Sequence, residues 1–148
     1  MNTVSARTLL ALTVGAALLT IAPLTQAHEC TLTDAAGKYG YTSSGTIVTP
    51  AVGPFTASGN VALGESGTFT GAQTTSIAGN LVEETVQGTY GVNADCTGSA
   101  TVHVYHGATL ARTSIINLVW DNHQVEFRAI FLTPGTNISI QGRKMSDD

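Results

Sequence analysis

Residues 109–144 read TLARTSIINLVWDNHQVEFRAIFLTPGTNISIQGRK, and the alternation along this stretch decides the fold. Side chains of an extended chain point alternately to its two faces. Asp121-Asn122 predicts a two-residue turn that sets Leu118 opposite Val125, Ile116 opposite Phe127, Ser114 opposite Ala129 and Arg112 opposite Phe131. Pro134-Gly135 predicts the next turn, which puts Ile138 opposite Phe131 and keeps Ile140 and Gly142 on the same side. The result is one continuous apolar face. The other face carries Asn117, Gln124, Glu126, Arg128, Asn137, Ser139, Gln141 and Arg143 and reads as solvated.

Working outward, segments of about ten residues rich in Thr, Val, Ile, Tyr and Phe alternate with Gly, Asn, Asp or Pro punctuation. Strands are predicted at 38–49, 53–63, 67–77, 80–91, 98–106, 109–120, 123–133 and 136–144. The earlier strands place Tyr39, Tyr41, Ile47, Phe55, Ala57, Val61, Leu63 and Phe69 on single faces. Sequential strands usually pair, and closing eight of them removes the exposed edges of an open sheet. The expected fold is therefore all-β, a single antiparallel eight-stranded up-and-down barrel with an apolar interior; the alternative is a β-sandwich. An outer-membrane barrel would invert this pattern and require aromatic girdles.

Composition supports this class and excludes others. The 148 residues are 43% hydrophobic but only 11% charged, against about 25% in an average globular chain. Thr, Ser, Gly, Asn and Gln make up the deficit. Six basic groups against ten acidic ones provide no electrostatic footprint for a nucleic acid. Arg7 precedes an apolar run from Leu9 to Pro23, followed by the small-x-small pattern Thr25-Gln26-Ala27. This is a secretory signal peptide, so residues 1–27 are an address and 28–148 a single domain, secreted or periplasmic. The run is shorter than the roughly 20 residues of a membrane-spanning helix.

Two cysteines in an exported chain imply one disulfide, Cys30–Cys96. Asn93 to Gly98 reads as a polar turn with Cys96 at its tip, able to pin the N-terminal arm across one barrel mouth.

The stretch 88–101, GTYGVNADCTGSAT, resembles the central motif of a group of small exported bacterial proteins that read Gly-Thr-Tyr-x-Val-Asn-x-Asp-Cys-Thr-Gly-Ser/Thr-Ala. Tyr39-Gly40-Tyr41 through Gly45-Thr46, and Gly142 to Lys144, extend the likeness over most of the chain. The resemblance implies a barrel similar to those of the allene oxide cyclase and dirigent kind. That is a likeness of fold, and it brings no catalytic residues with it.

Two charges break the apolar face. Glu84 shares a side with Val82, Val86 and Tyr90, and Arg112 with Leu110, Ile116 and Leu118. Unpaired charges in a dry barrel are very costly, so the two are expected to pair, reach a mouth or meet a polar ligand. A two-residue turn after His106 would set His103 opposite Arg112 and Tyr105 opposite Leu110; the other parity would put Val102 and Val104 inside. Arg112, Glu84, His103, Tyr105 and the inward Tyr41 are the candidate ligand-binding residues. His103 and His106 lie three apart on a strand and face opposite sides, and no metal site, cofactor, phosphate-loop or nucleophile-elbow motif is read.

The leading expectation is a small exported barrel binding an apolar or amphipathic small molecule in its interior. A cofactor-free cyclase or isomerase and a surface protein with a filled barrel are the alternatives. Ile115, Val119, Ile130 and Leu132 form an outward apolar patch suited to a homodimer.

Overall fold

The computed structural model describes residues 29–145 apart from 51 and 122. The signal peptide expected at 1–27 lies outside the described residues. A short helix, α1 (Leu32–Ala35), precedes eight strands: β1 (Gly37–Ile47), β2 (Gly53–Leu63), β3 (Thr68–Ile77), β4 (Asn80–Val92), β5 (Thr97–His106), β6 (Thr109–Trp120), β7 (Glu126–Phe131) and β8 (Thr136–Lys144). Each strand pairs antiparallel with the next, and β8 returns to β1 through pairs such as Tyr41 with Gly142 and Ser43 with Ile140. The barrel is closed and up-and-down. No helix of the described residues is long and apolar enough to cross a membrane.

The faces follow the alternation in the sequence. Tyr39, Phe55, Ala57, Val61, Phe69, Val86, Tyr90, Ile116, Leu118, Phe127, Ala129, Ile138 and Ile140 are buried. Ile115, Val119, Ile130 and Leu132 are each just over half exposed on the outer wall. The β7–β8 register, with Ala129 opposite Ile140, is the one that a Pro134-Gly135 turn demands. The β3–β4 hairpin turns on Ala78 (φ 48°) and Gly79 (φ 88°), the two positive φ values of a type I′ connection.

The β6–β7 register differs from expectation. Leu118 lies opposite Ala129 and Ile116 opposite Phe131, not Val125 and Phe127. The connection from Trp120 to Glu126 is longer than a two-residue turn: Asp121 Oδ1 accepts the Val125 and Glu126 amides at 2.8 and 3.1 Å, and the Asp121 carbonyl accepts the Gln124 amide. The slip is even in length, so inner and outer faces survive it. Gln124, expected on the solvated face, is instead fully buried with φ 52°.

Gln124 is buried because the N-terminal arm lies across that end of the barrel. Its side chain accepts from the Thr31 amide at 3.0 Å and donates to the Thr31 carbonyl at 2.9 Å. Thr31 caps α1 by accepting from the Asp34 amide, and the Lys144 ammonium donates to the Asp34 carbonyl at 2.6 Å. The Tyr39 hydroxyl lies 2.7 Å from the Gln124 carbonyl and 3.0 Å from that of Ala35; its one hydrogen can serve one of them at a time. Burial raises the Tyr39 pKa. The Cys30–Cys96 disulfide, with Cα atoms 5.0 Å apart, ties the arm to the β4–β5 loop. One mouth is thereby plugged.

Close packing behind the plug depends on Gly142. A side chain there would occupy the position of the Phe127 ring, which packs 5.5 Å from the Tyr39 ring. Gly142→Ala should destabilise the barrel by about 1–3 kcal/mol through overpacking. Gly91→Ala, which meets nothing within 4 Å, should be neutral or slightly stabilising. Urea unfolding of both variants checks the contrast, and equal midpoints would refute it.

Candidate functional site

Three strands, β3, β5 and β6, converge on Glu84 of β4. The β3–β4 register puts Gln73 opposite Glu84 and Thr75 opposite Val82, so the inner face of β3 brings two polar side chains to an inward carboxylate. Gln73 Nε2 and Thr75 Oγ1 donate to Glu84 Oε2 at 2.6 and 2.7 Å. Arg112 grips both carboxylate oxygens, Nη1 to Oε1 at 2.5 Å and Nη2 to Oε2 at 2.7 Å. His106 Nε2 reaches Oε1 at 2.9 Å. Because the carboxylate only accepts, that ring nitrogen carries a hydrogen. The Glu84 side chain is 1% exposed and that of Arg112 30%, so the pair lies where the interior meets the unplugged mouth. Burial opposes ionisation of Glu84, but donors from Arg112, Thr75, Gln73 and His106 outweigh it and hold its pKa at about 2, below the ordinary 4.5.

Tyr41 extends this network into the interior. Its hydroxyl donates to Gln73 Oε1 at 2.7 Å, and burial first, then the Glu84 charge, raises its pKa. Tyr41, Glu84 and Arg112, singled out from the sequence, are thus brought together. His103 and Tyr105 are not. They stand on the outer wall, where His103 Nδ1 meets Thr113 Oγ1 at 3.0 Å and the Tyr105 hydroxyl accepts from Gln87 at 3.0 Å. Of the two parities open in the sequence, the structure has the one with Val102 and Val104 inside. The turn after His106 still has two residues; a bulge changes the pairing from Val104–Arg112 to Tyr105–Leu110. The extra residue, Ala111, carries Arg112 to the face of Val104 instead of His103.

The same parity puts His106 on the side of the valines, half exposed at the mouth, so the histidine that meets Glu84 is His106. His103 and His106 do face opposite sides. The missed partners, Gln73 and Thr75, had a readable signal. They continue the inner face from Phe69 through Gly71, and the Ala78-Gly79 turn sets Gln73 across from Glu84.

Between the plug and this network lies a cavity of about 80 Å³, room for several waters at the ~10–15 Å³ each needs. Its wall is mainly apolar, with Val61, Phe69, Val86, Ala100, Ile116, Trp120 and Phe127 among its residues. The polar exceptions are Tyr41, Ser43, Gln73, Tyr90, Arg112 and Ser114. Tyr90 donates its hydroxyl hydrogen to the Gly64 carbonyl. Trp120 Nε1 is buried without a hydrogen bond of good geometry, although it lies close enough to the Tyr39 hydroxyl to lower its pKa slightly; it belongs to the plugged end. The cavity is open toward the unplugged mouth, and a largely apolar cleft with a few convergent polar groups can hold a small molecule and orient it. Among the described residues no group of three or more metal-ligating side chains converges.

No family model, curated protein or solved structure matches this chain.

Proposed function

We propose that this protein is an exported binding protein that holds a small, mainly apolar molecule inside its barrel, with the polar end of the molecule toward Tyr41 and Arg112. The observation that carries this reading is the 80 Å³ cavity bounded on one side by the Glu84 network. A barrel of this size can fill its interior with side chains, and this one leaves space beside unspent hydrogen-bonding groups. The leader-like 1–27 segment supports export, and the disulfide suits an oxidising compartment.

The test is native mass spectrometry of the protein purified from producing cells without denaturation, combined with titration of benzene as an apolar probe followed by backbone amide shifts. Ala100, buried on the cavity wall, is replaced by Phe to fill the space. A discrete added mass, or saturable benzene shifts on the inner strands, should appear in the natural protein and vanish in Ala100→Phe with the barrel intact. Bare masses together with no benzene response would reject the reading.

A further inference from the structure

The hydrogen-bond directions around Glu84 determine what the cavity can offer a ligand. A carboxylate only accepts, so Gln73 must turn its Nε2 toward Glu84, at 2.6 Å, and its Oε1 toward Tyr41. Tyr41 therefore spends its single hydroxyl hydrogen on Gln73. Toward the cavity its oxygen has only lone pairs to present.

Arg112 is the opposite case. It has five N–H groups and no acceptor, and gives two of them to Glu84. No other hydrogen bond holds the remaining three among the described residues, and Arg112 lines the cavity. Ser43 and Ser114, 6% and 4% exposed, also line it, and neither hydroxyl has a hydrogen-bond partner among the described residues. Both oxygens open onto the cavity, since Trp120 Nε1 is the one sealed side-chain polar atom without a partner among the described residues. Two serine hydroxyls, one acceptor oxygen and one guanidinium with spare N–H groups thus face a single apolar space.

Charge narrows the choice further. Glu84 and Arg112 neutralise each other within a bidentate pair, so an anion entering the cavity would bring charge without a free counter-ion, at high desolvation cost.

We infer that the cavity is built for a neutral hydroxyl-bearing apolar molecule, an alcohol or a phenol, whose O–H donates to Tyr41 Oη and whose oxygen accepts from Ser114 or Arg112. The inference rests on the cavity being a binding site and adds the chemical class of its ligand. A hydroxyl both donates and accepts, which matches the two kinds of group on offer. A ketone or ether would leave the Tyr41 lone pairs unmet.

The experiment compares three probes that match the cavity in size, on the whole disulfide-bonded protein by titration calorimetry: phenol, benzene and benzoate. Phenol should bind at least about ten-fold more tightly than either of the others, the scale expected when a buried polar group is matched or left unmatched. Tyr41→Phe should reduce phenol to the affinity of benzene while leaving benzene within about two-fold. Ser114→Ala, which does not touch the Glu84 network, should weaken phenol several-fold and serves if Tyr41→Phe does not fold. Equal affinity for benzene, or preference for benzoate, would overturn the hydroxyl assignment while leaving the binding cavity in place. Failure of all three probes to bind would overturn the binding reading and the assignment with it.

Discussion

Replacing Glu84 with alanine should cost about 3–5 kcal/mol of stability, the range for removing one partner of a buried ion pair. The carboxylate accepts five hydrogen bonds from four side chains. Without it, the Arg112 guanidinium, 30% exposed, keeps its charge with no counter-ion. The fully buried Thr75 hydroxyl loses its acceptor, and the amide of Gln73 loses the contact that orients it toward Tyr41. The double variant Glu84→Ala/Arg112→Ala should therefore be more stable than Glu84→Ala alone, because it also removes the orphaned charge. Chemical denaturation of the two single variants and the double variant makes the measurement. If the single changes simply add, the pair is not the centre of the network.

The same carboxylate predicts an acid dependence. Its folded pKa of about 2 lies below the ordinary 4.5, so its contribution to stability is complete above about pH 4.5 and is lost as the pH falls toward 2. Glu84→Gln cannot titrate at this position. Its stability should fall less steeply than that of the natural protein between pH 4.5 and 2, and parallel curves would show that other groups dominate acid unfolding.

Loss of the Cys30–Cys96 disulfide should have an effect of similar size. The cysteines are 66 residues apart, and loop-closure entropy for a loop of that length corresponds to about 4 kcal/mol, on a model whose entropic origin is disputed. The bond also holds the arm that plugs one mouth, including the Ala35 carbonyl beside the Tyr39 hydroxyl and the Thr31 backbone bonded by Gln124. Cys30→Ser/Cys96→Ser should lower the urea midpoint strongly. It should also accelerate amide exchange first at Gln124 and Val125, because Gln124 would lose its partner. A change below about 1 kcal/mol would mean that the arm's hydrogen bonds hold the plug without the covalent tie.

How much of this was legible beforehand differs between wall and site. The order of the strands and most of their inner faces follow from local alternation and from the Gly, Pro and Asp punctuation, each needing only a few neighbouring residues, although the strand expected at 123–133 is shortened to Glu126–Phe131. The inward placement of Glu84, Arg112 and Tyr41 was readable for the same reason. The β6–β7 connection was not, because Gln124 there reaches the Thr31 backbone, 93 residues away in sequence. Nor was the bulge that gives Arg112 to the Val104 side and leaves His103 and Tyr105 on the outer wall.

The sequence by itself determined an all-β chain of eight strands, the face each residue takes within most strands, and the pair of cysteines available to tie the arm. Only the tertiary structure decided which inward polar groups meet. Period-two alternation is a property of each strand alone, whereas register depends on contacts made across the closed barrel. Glu84 gathers donors from β3, β5 and β6 at once, and their arrangement leaves Tyr41, Ser43, Ser114 and Arg112 with unspent hydrogen-bonding capacity around an open space.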